Sequence, residues 1–139
     1  MLFMIGIEKP AKKNQAFGIV VPVFEEIGYS CFSAADTKED ILLQAKSAIL
    51  EMAEEAIKDG LLVQKLNKGY VDYSIEFPDF DQWMAIEVPI ESIKNKQKRI
   101  NITLSEPMLA RVDAFVSGHN EYRDRSDFLA KAADNLMQH

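Results

Sequence analysis

The sequence is poor in the residues that build many kinds of site. Cys31 is its single cysteine, which rules out an internal disulfide framework and fits a reducing cytoplasm. There are two histidines, His119 and His139, and neither lies near Cys31 in sequence. No zinc-type spacing and no glycine-rich phosphate loop can be read from this set. No apolar run approaches the ~20 residues of a membrane-spanning helix. The opening stretch MLFMIGIEKP is apolar, but it is too short for a signal-peptide core and lacks a basic start and a small-residue cleavage site. No cofactor, no metal and no membrane partner is expected, and the expected compartment is the cytoplasm.

What is present is an ordinary foldable composition, 47% hydrophobic and 27% charged over 139 residues. That length holds one domain, or a small domain with a short accessory module. The net charge of −6 argues against a general nucleic-acid binder, yet it is unevenly placed. Residues 1–97 carry 10 Lys/Arg against 16 Asp/Glu, whereas residues 98–139 carry six of each. An acidic front and a neutral back imply two parts with different partners. The acid of the front is either a solvated face or an attraction for a basic partner.

Residues 2–8 read as a strand, 17–24 as a second with Pro22 near an edge or bulge, and YSCFSA as a third after a turn at EEIG. Thr37 then serves as the N-cap of a helix over 37–59, with Asp40 in the capping-box position and Gly60 as its stop. Ile41, Ala45, Ile49, Ala53 and Ile57 recur at helical spacing along it. YVDYSIEF alternates with the period of a strand, placing Val71, Tyr73, Ile75 and Phe77 on one side, and WMAIEVPI forms the last strand. Residues 91–98 are polar and aperiodic and read as a linker between a front domain, 1–90, and a tail, 99–139.

The tail opens on RINITL. Arg99, Asn101 and Thr103 alternate with Ile100, Ile102 and Leu104, the period of a half-buried strand. Ser105 caps a helix carrying Met108, Leu109, Val112, Phe115 and Val116, with Gly118 as stop, and a second helix starts at about Asp124. No second strand follows. A lone ribbon leaves unpaired N–H and C=O groups on both edges, and about 40 residues bury little core alone. Both difficulties vanish if two copies pair their ribbons antiparallel and enclose Ile100, Ile102 and Leu104, so the tail is expected to be an obligate dimer. The other ribbon face presents Arg99, Asn101 and Thr103 twice over, in a form that fits the DNA major groove. A dimerisation module without DNA binding is the alternative.

RINITL, SEPMLARVDAFV and YRDRSDFLAKAA together resemble the ribbon-helix-helix DNA-binding family. The resemblance implies base contacts from Arg99, Asn101 and Thr103, and a phosphate clamp at the start of the second helix, at Asp124, Arg125 and Ser126. Asp124 departs from that pattern by placing a carboxylate at the anchor; it then caps the helix, while Lys98, Arg123 and Arg125 supply positive charge to the phosphates. The front, three strands and a helix centred on SAADTKEDILLQAKSAILEMAEEAIKDG, resembles the HicB antitoxin family. A Pro-Asp-x-Pro-Gly turn common in that family is missing from VPVFEEIGYSCFS.

These resemblances imply an α+β fold. The front is an antiparallel sheet packed by one long helix, a degraded ribonuclease-H-like domain, and the tail is a dimeric ribbon-helix-helix module. They imply a non-catalytic antitoxin that blocks a small, basic HicA-like mRNA-cleaving toxin and represses its own operon on double-stranded operator DNA. The assembly implied is a homodimer or higher oligomer through the C-terminal ribbon. The sheet edge, the VFEEIG turn and the PDFDQW loop are the candidate toxin contacts; Trp83 and Phe80 are either core or interface anchors.

Two other readings stay open. A regulator whose front domain senses a small molecule is one. A weak nuclease is the other; it needs carboxylates converging on metal ions, for which Glu8, Asp36, Asp72 and Glu76 are the candidates. Asp36 reads more simply as a helix-entry residue, and Asp72 and Glu76 as a solvated strand face.

Overall fold

In the computed structural model, which describes residues 1–93 and 97–138, the chain divides into two units, Met1–Lys96 and Gln97–His139. Residues 94–96 of the expected linker, and His139, lie outside the described residues. The first unit is built on four antiparallel strands, β1 (Leu2–Glu8), β2 (Phe17–Val20), β3 (Phe32–Ala35) and β4 (Gln82–Glu87), in the order β3-β2-β1-β4. The register places Gly6 between Val20 on β2 and Trp83 on β4, and Phe3 opposite Ile86.

Every residue from Phe3 to Ile7 is buried, so β1 is covered on both faces. On one face, Phe3, Ile5, Ile7 and Ile19 join Ile49, Ala53 and Leu66 in the main core. The helix over this face, α1 (Ile41–Lys58), buries Ile41, Ala45, Ile49, Ala53 and Ala56. Three of those five are alanines, which let its backbone lie close to the sheet. Gly60, at φ 81°, takes the left-handed conformation that ends it, and the Leu61 amide closes on the Ala56 carbonyl.

Three local expectations are corrected. The second strand stops at Val20, because Pro22 lacks an amide for the ladder and its fixed φ opens a short 3-10 helix, Pro22–Ile27. That helix drives Val23 and Phe24 into the core, where Phe24 stacks on Phe3 with ring centroids 5.8 Å apart. Thr37 precedes a 3-10 turn, Lys38–Asp40, and its hydroxyl bonds the Asp40 carboxylate (3.0 Å) instead of capping the backbone.

The third correction concerns YVDYSIEF, which is not a strand. The Asp72 carboxylate accepts from the Ser74 amide (3.0 Å) and hydroxyl (2.6 Å), and the Phe77 amide closes on the Tyr73 carbonyl (3.0 Å). These turns bend the segment into a strap across the second face of the sheet. Tyr73 is buried, Ile75 is 89% exposed, and Tyr73, Phe77, Phe80 and Trp83 form one aromatic cluster. The Trp83 indole donates to the Phe80 carbonyl (2.9 Å). Trp83 and Phe80 therefore pack within the unit.

The second unit consists of two helices, α2 (Glu106–Ser117) and α3 (Arg125–Met137). Ser105 caps α2 by accepting from the Met108 amide (3.3 Å), and Asp124 caps α3 by accepting from the Asp127 amide (2.8 Å). Gly118 ends α2 at an ordinary φ of −89°, its amide shared between the Ala114 and Phe115 carbonyls.

Candidate nucleic-acid and partner-binding surfaces

The second unit has almost no interior of its own. Val112 is its one buried residue among those described. Ile100 is 72% exposed and Ile102 58%, Leu104 is half-buried, and Lys98, Arg99, Asn101 and Thr103 are exposed. Among the described residues no strand pairs with 99–104. Phe115, Tyr122 and Phe128 pack edge to face or tilted, 5.1–6.0 Å between centroids, and His119 stacks on Phe115 at 3.8 Å. This cluster holds the two helices together, and it places His119 in packing. Sequence spacing did not reveal it, because its members come from α2, the turn and α3.

At the start of α3 the expected phosphate clamp is occupied by the unit's own carboxylates. Arg125 donates through Nε and Nη2 to the two carboxylate oxygens of Asp113 (3.0 and 2.9 Å), joining α3 to α2. The Arg125 guanidinium holds the Asp113 carboxyl below its usual range. Asp127 accepts from the Arg123 amide (3.1 Å) and from Lys131 Nζ (3.0 Å), and these bonds likewise lower its pKa. Ser126 stays exposed in the first turn. Arg99 and Arg111 form no ion pair among the described residues. All four arginines of the chain, Arg99, Arg111, Arg123 and Arg125, lie in this unit. Arginine suits bidentate contact with base edges and phosphates, and this asymmetry is a legible signal that the charge count alone obscures.

In the first unit the nuclease candidates do not converge. Glu8 ends β1, Asp36 precedes α1, and both are exposed; Asp72 holds its turn with Ser74; Glu76 is exposed on the strap. Among the described residues, no three His, Cys, Asp or Glu side chains gather in an arrangement that could hold a metal ion. Cys31 is buried, and burial pushes its thiol up to about 11. No described helix is long and apolar enough to cross a membrane. The strap presents Tyr70 (81% exposed) and Ile75 beside Asp72, Glu76, Asp79 and Asp81. It touches the PDFDQW candidate, whereas Val23 and Phe24 of the VFEEIG candidate are core and Glu25, Glu26 and Gly28 face solvent.

A family model described as HicB-like antitoxin of bacterial toxin-antitoxin system matches residues 3–133. A protein of Haemophilus phage HP1 (strain HP1c1), described as an uncharacterized 14.9 kDa protein in the rep-hol intergenic region, is 33% identical over 139 residues. The alignment covers 99% of this chain and 98% of the phage protein. The crystal structure of the Burkholderia pseudomallei antitoxin HicB is similar at 27% identity, covering 96% of each chain, with a TM-score of 0.47. With the family match spanning nearly its whole length, the chain belongs to the HicB-like antitoxin family of bacterial toxin–antitoxin systems.

Proposed function

We propose that the first unit binds and blocks a small, basic, HicA-like mRNA-cleaving toxin in the cytoplasm, and that the second represses the operon by binding operator DNA as a dimer. Membership of an antitoxin family supports the first half. The observation that carries the second is the composition of 98–104 against its exposure. Ile100 and Ile102 are too apolar to remain in water, and the unit offers them no interior. Two ribbons paired antiparallel bury Ile100, Ile102 and Leu104, satisfy the facing backbone edge of each, and turn Arg99, Asn101 and Thr103 of each chain outward to base edges. Lys98 and the exposed Ser126 contact phosphates directly. Arg123 and Arg125 reach phosphates by exchanging Asp127 and Asp113 for them.

A gel-shift titration on the operator upstream of the gene, at fixed salt, tests this reading. Arg99→Ala is expected to weaken specific binding by about 1–3 kcal/mol and to relax preference at one base pair. An unchanged titration refutes base reading by Arg99. Sedimentation at nanomolar concentration showing a folded single protomer refutes the paired ribbon.

A further inference from the structure

β3 is an edge strand of the four-stranded sheet. The bond from the Val21 amide, just past the end of β2, to the Cys31 carbonyl (3.0 Å) fixes its phase: Ser33 and Ala35 turn their N–H and C=O groups toward Ile19 and Phe17 of β2. The N–H and C=O groups of Phe32 and Ala34 therefore point away from the sheet. Among the described residues no backbone bond is made to them. Natural edges are guarded by shortness, by charge, by proline or by a covering element; β3, Phe-Ser-Ala-Ala, is short but carries neither charge nor proline. Its first residue, Phe32, is 57% exposed.

Along this edge and α1 runs a groove of about 450 Å³. Cys31, Ala48 and Met52 make its apolar floor. Glu51, Glu54 and Glu55 make an acidic wall, opposed by Lys58 alone. An extended segment hydrogen-bonded to Phe32 and Ala34 would drop alternate side chains into this groove. Long basic side chains suit it: their alkyl stems cover the floor and their charged ends meet the glutamates. A second copy of this chain is a poor occupant, because it brings the same acidic helix against the same wall.

We propose that the free edge of β3 and the groove beside it dock an extended basic segment of the toxin, added as a fifth strand. The inference rests on the reading of the first unit as the toxin-binding part. The test is calorimetric titration of the full-length antitoxin with the purified toxin encoded by the adjacent short reading frame. Ala34→Pro removes an outward-pointing amide and no ladder bond, so it blocks the edge while sparing the sheet. It is expected to weaken binding by about tenfold or more. Glu51→Lys with Glu55→Lys is expected to do the same and to flatten the salt dependence of the remaining affinity. If the unmodified chain does not bind the toxin, the antitoxin reading itself fails. If it binds and both variants bind equally well, toxin binding stands and this docking site is wrong. Should Ala34→Pro lose its native circular dichroism, the double glutamate variant decides alone. Self-association that Ala34→Pro abolishes without toxin present would assign the edge to a second copy and overturn the proposal.

Discussion

Replacing Gly6 by alanine tests how tightly the second face of the sheet is closed. A methyl group at this position would lie 2.7 and 2.8 Å from Trp83 Cη2 and Cζ3 and 2.9 Å from Val20 Cγ1. Carbon atoms at rest stay ~3.5–4.0 Å apart, so the indole must move. Such overpacking costs ~1–3 kcal/mol. Turning the ring also breaks the bond from its N–H to the Phe80 carbonyl, for ~1 kcal/mol more. Alanine restricts the unfolded chain and returns ~0.5–1 kcal/mol. The expected net destabilisation is about 1–3 kcal/mol, which lowers a urea midpoint by roughly 1 M at a slope of ~1–2 kcal/mol/M. Trp83 is the only tryptophan, so its fluorescence reports the first unit and nothing else. Gly18→Ala is the control: its methyl would meet Glu8 Cβ at 3.4 Å and Phe80 Cε1 at 3.7 Å, close to ordinary contact. Equal midpoints for the two variants would refute the claim that Trp83 is wedged over Gly6.

Four further outcomes are expected. With its pKa pushed up to about 11, Cys31 should resist iodoacetamide at pH 8 until urea unfolds the first unit; alkylation at the rate of a free thiol would contradict its burial. Because that thiol is raised above its ordinary value of 9.0, the stability owed to keeping it neutral is whole below pH 9 and is lost as pH climbs toward 11, which urea midpoints across that range would show. Asp113→Asn should release Arg125 to DNA phosphates, steepening the salt dependence of operator binding by about one counterion; an unchanged slope would mean that Arg125 does not reach the backbone. Ser105→Ala removes the cap of α2 and should cost ~0.5–2 kcal/mol in helix stability, read as an earlier loss of ellipticity.

The parts of the fold that depend on near neighbours were legible in the sequence. Ser105 and Asp124 each cap the helix that follows, and Ile41, Ala45, Ile49 and Ala53 each face the sheet. The failures occurred where a local rule met a partner distant in sequence. YVDYSIEF alternates like a strand, but Asp72 and Ser74 turn it, and the uncovered face around Gly6 takes Tyr73 and Phe77 as a lid. The uninterrupted apolar run of β1 already implied that both faces are covered; a clean alternation would have gone with a single buried face. In the tail, the alternation from Arg99 to Leu104 was plain. The tie of Arg125 to an acidic neighbour was not, because Asp113 lies twelve residues away and on another helix.

The strap over the second face has a consequence for persistence. With α1 on one side and its own aromatics on the other, the front sheet carries its own interior, and its survival is a matter of its own unfolding rate. On the proposed pairing of ribbons, the last forty residues, with Val112 as the one buried side chain among those described, take the rest of their interior from a second copy, and their integrity would then scale with abundance. As copies are depleted, that shared interior would be surrendered first, and the sheet left standing.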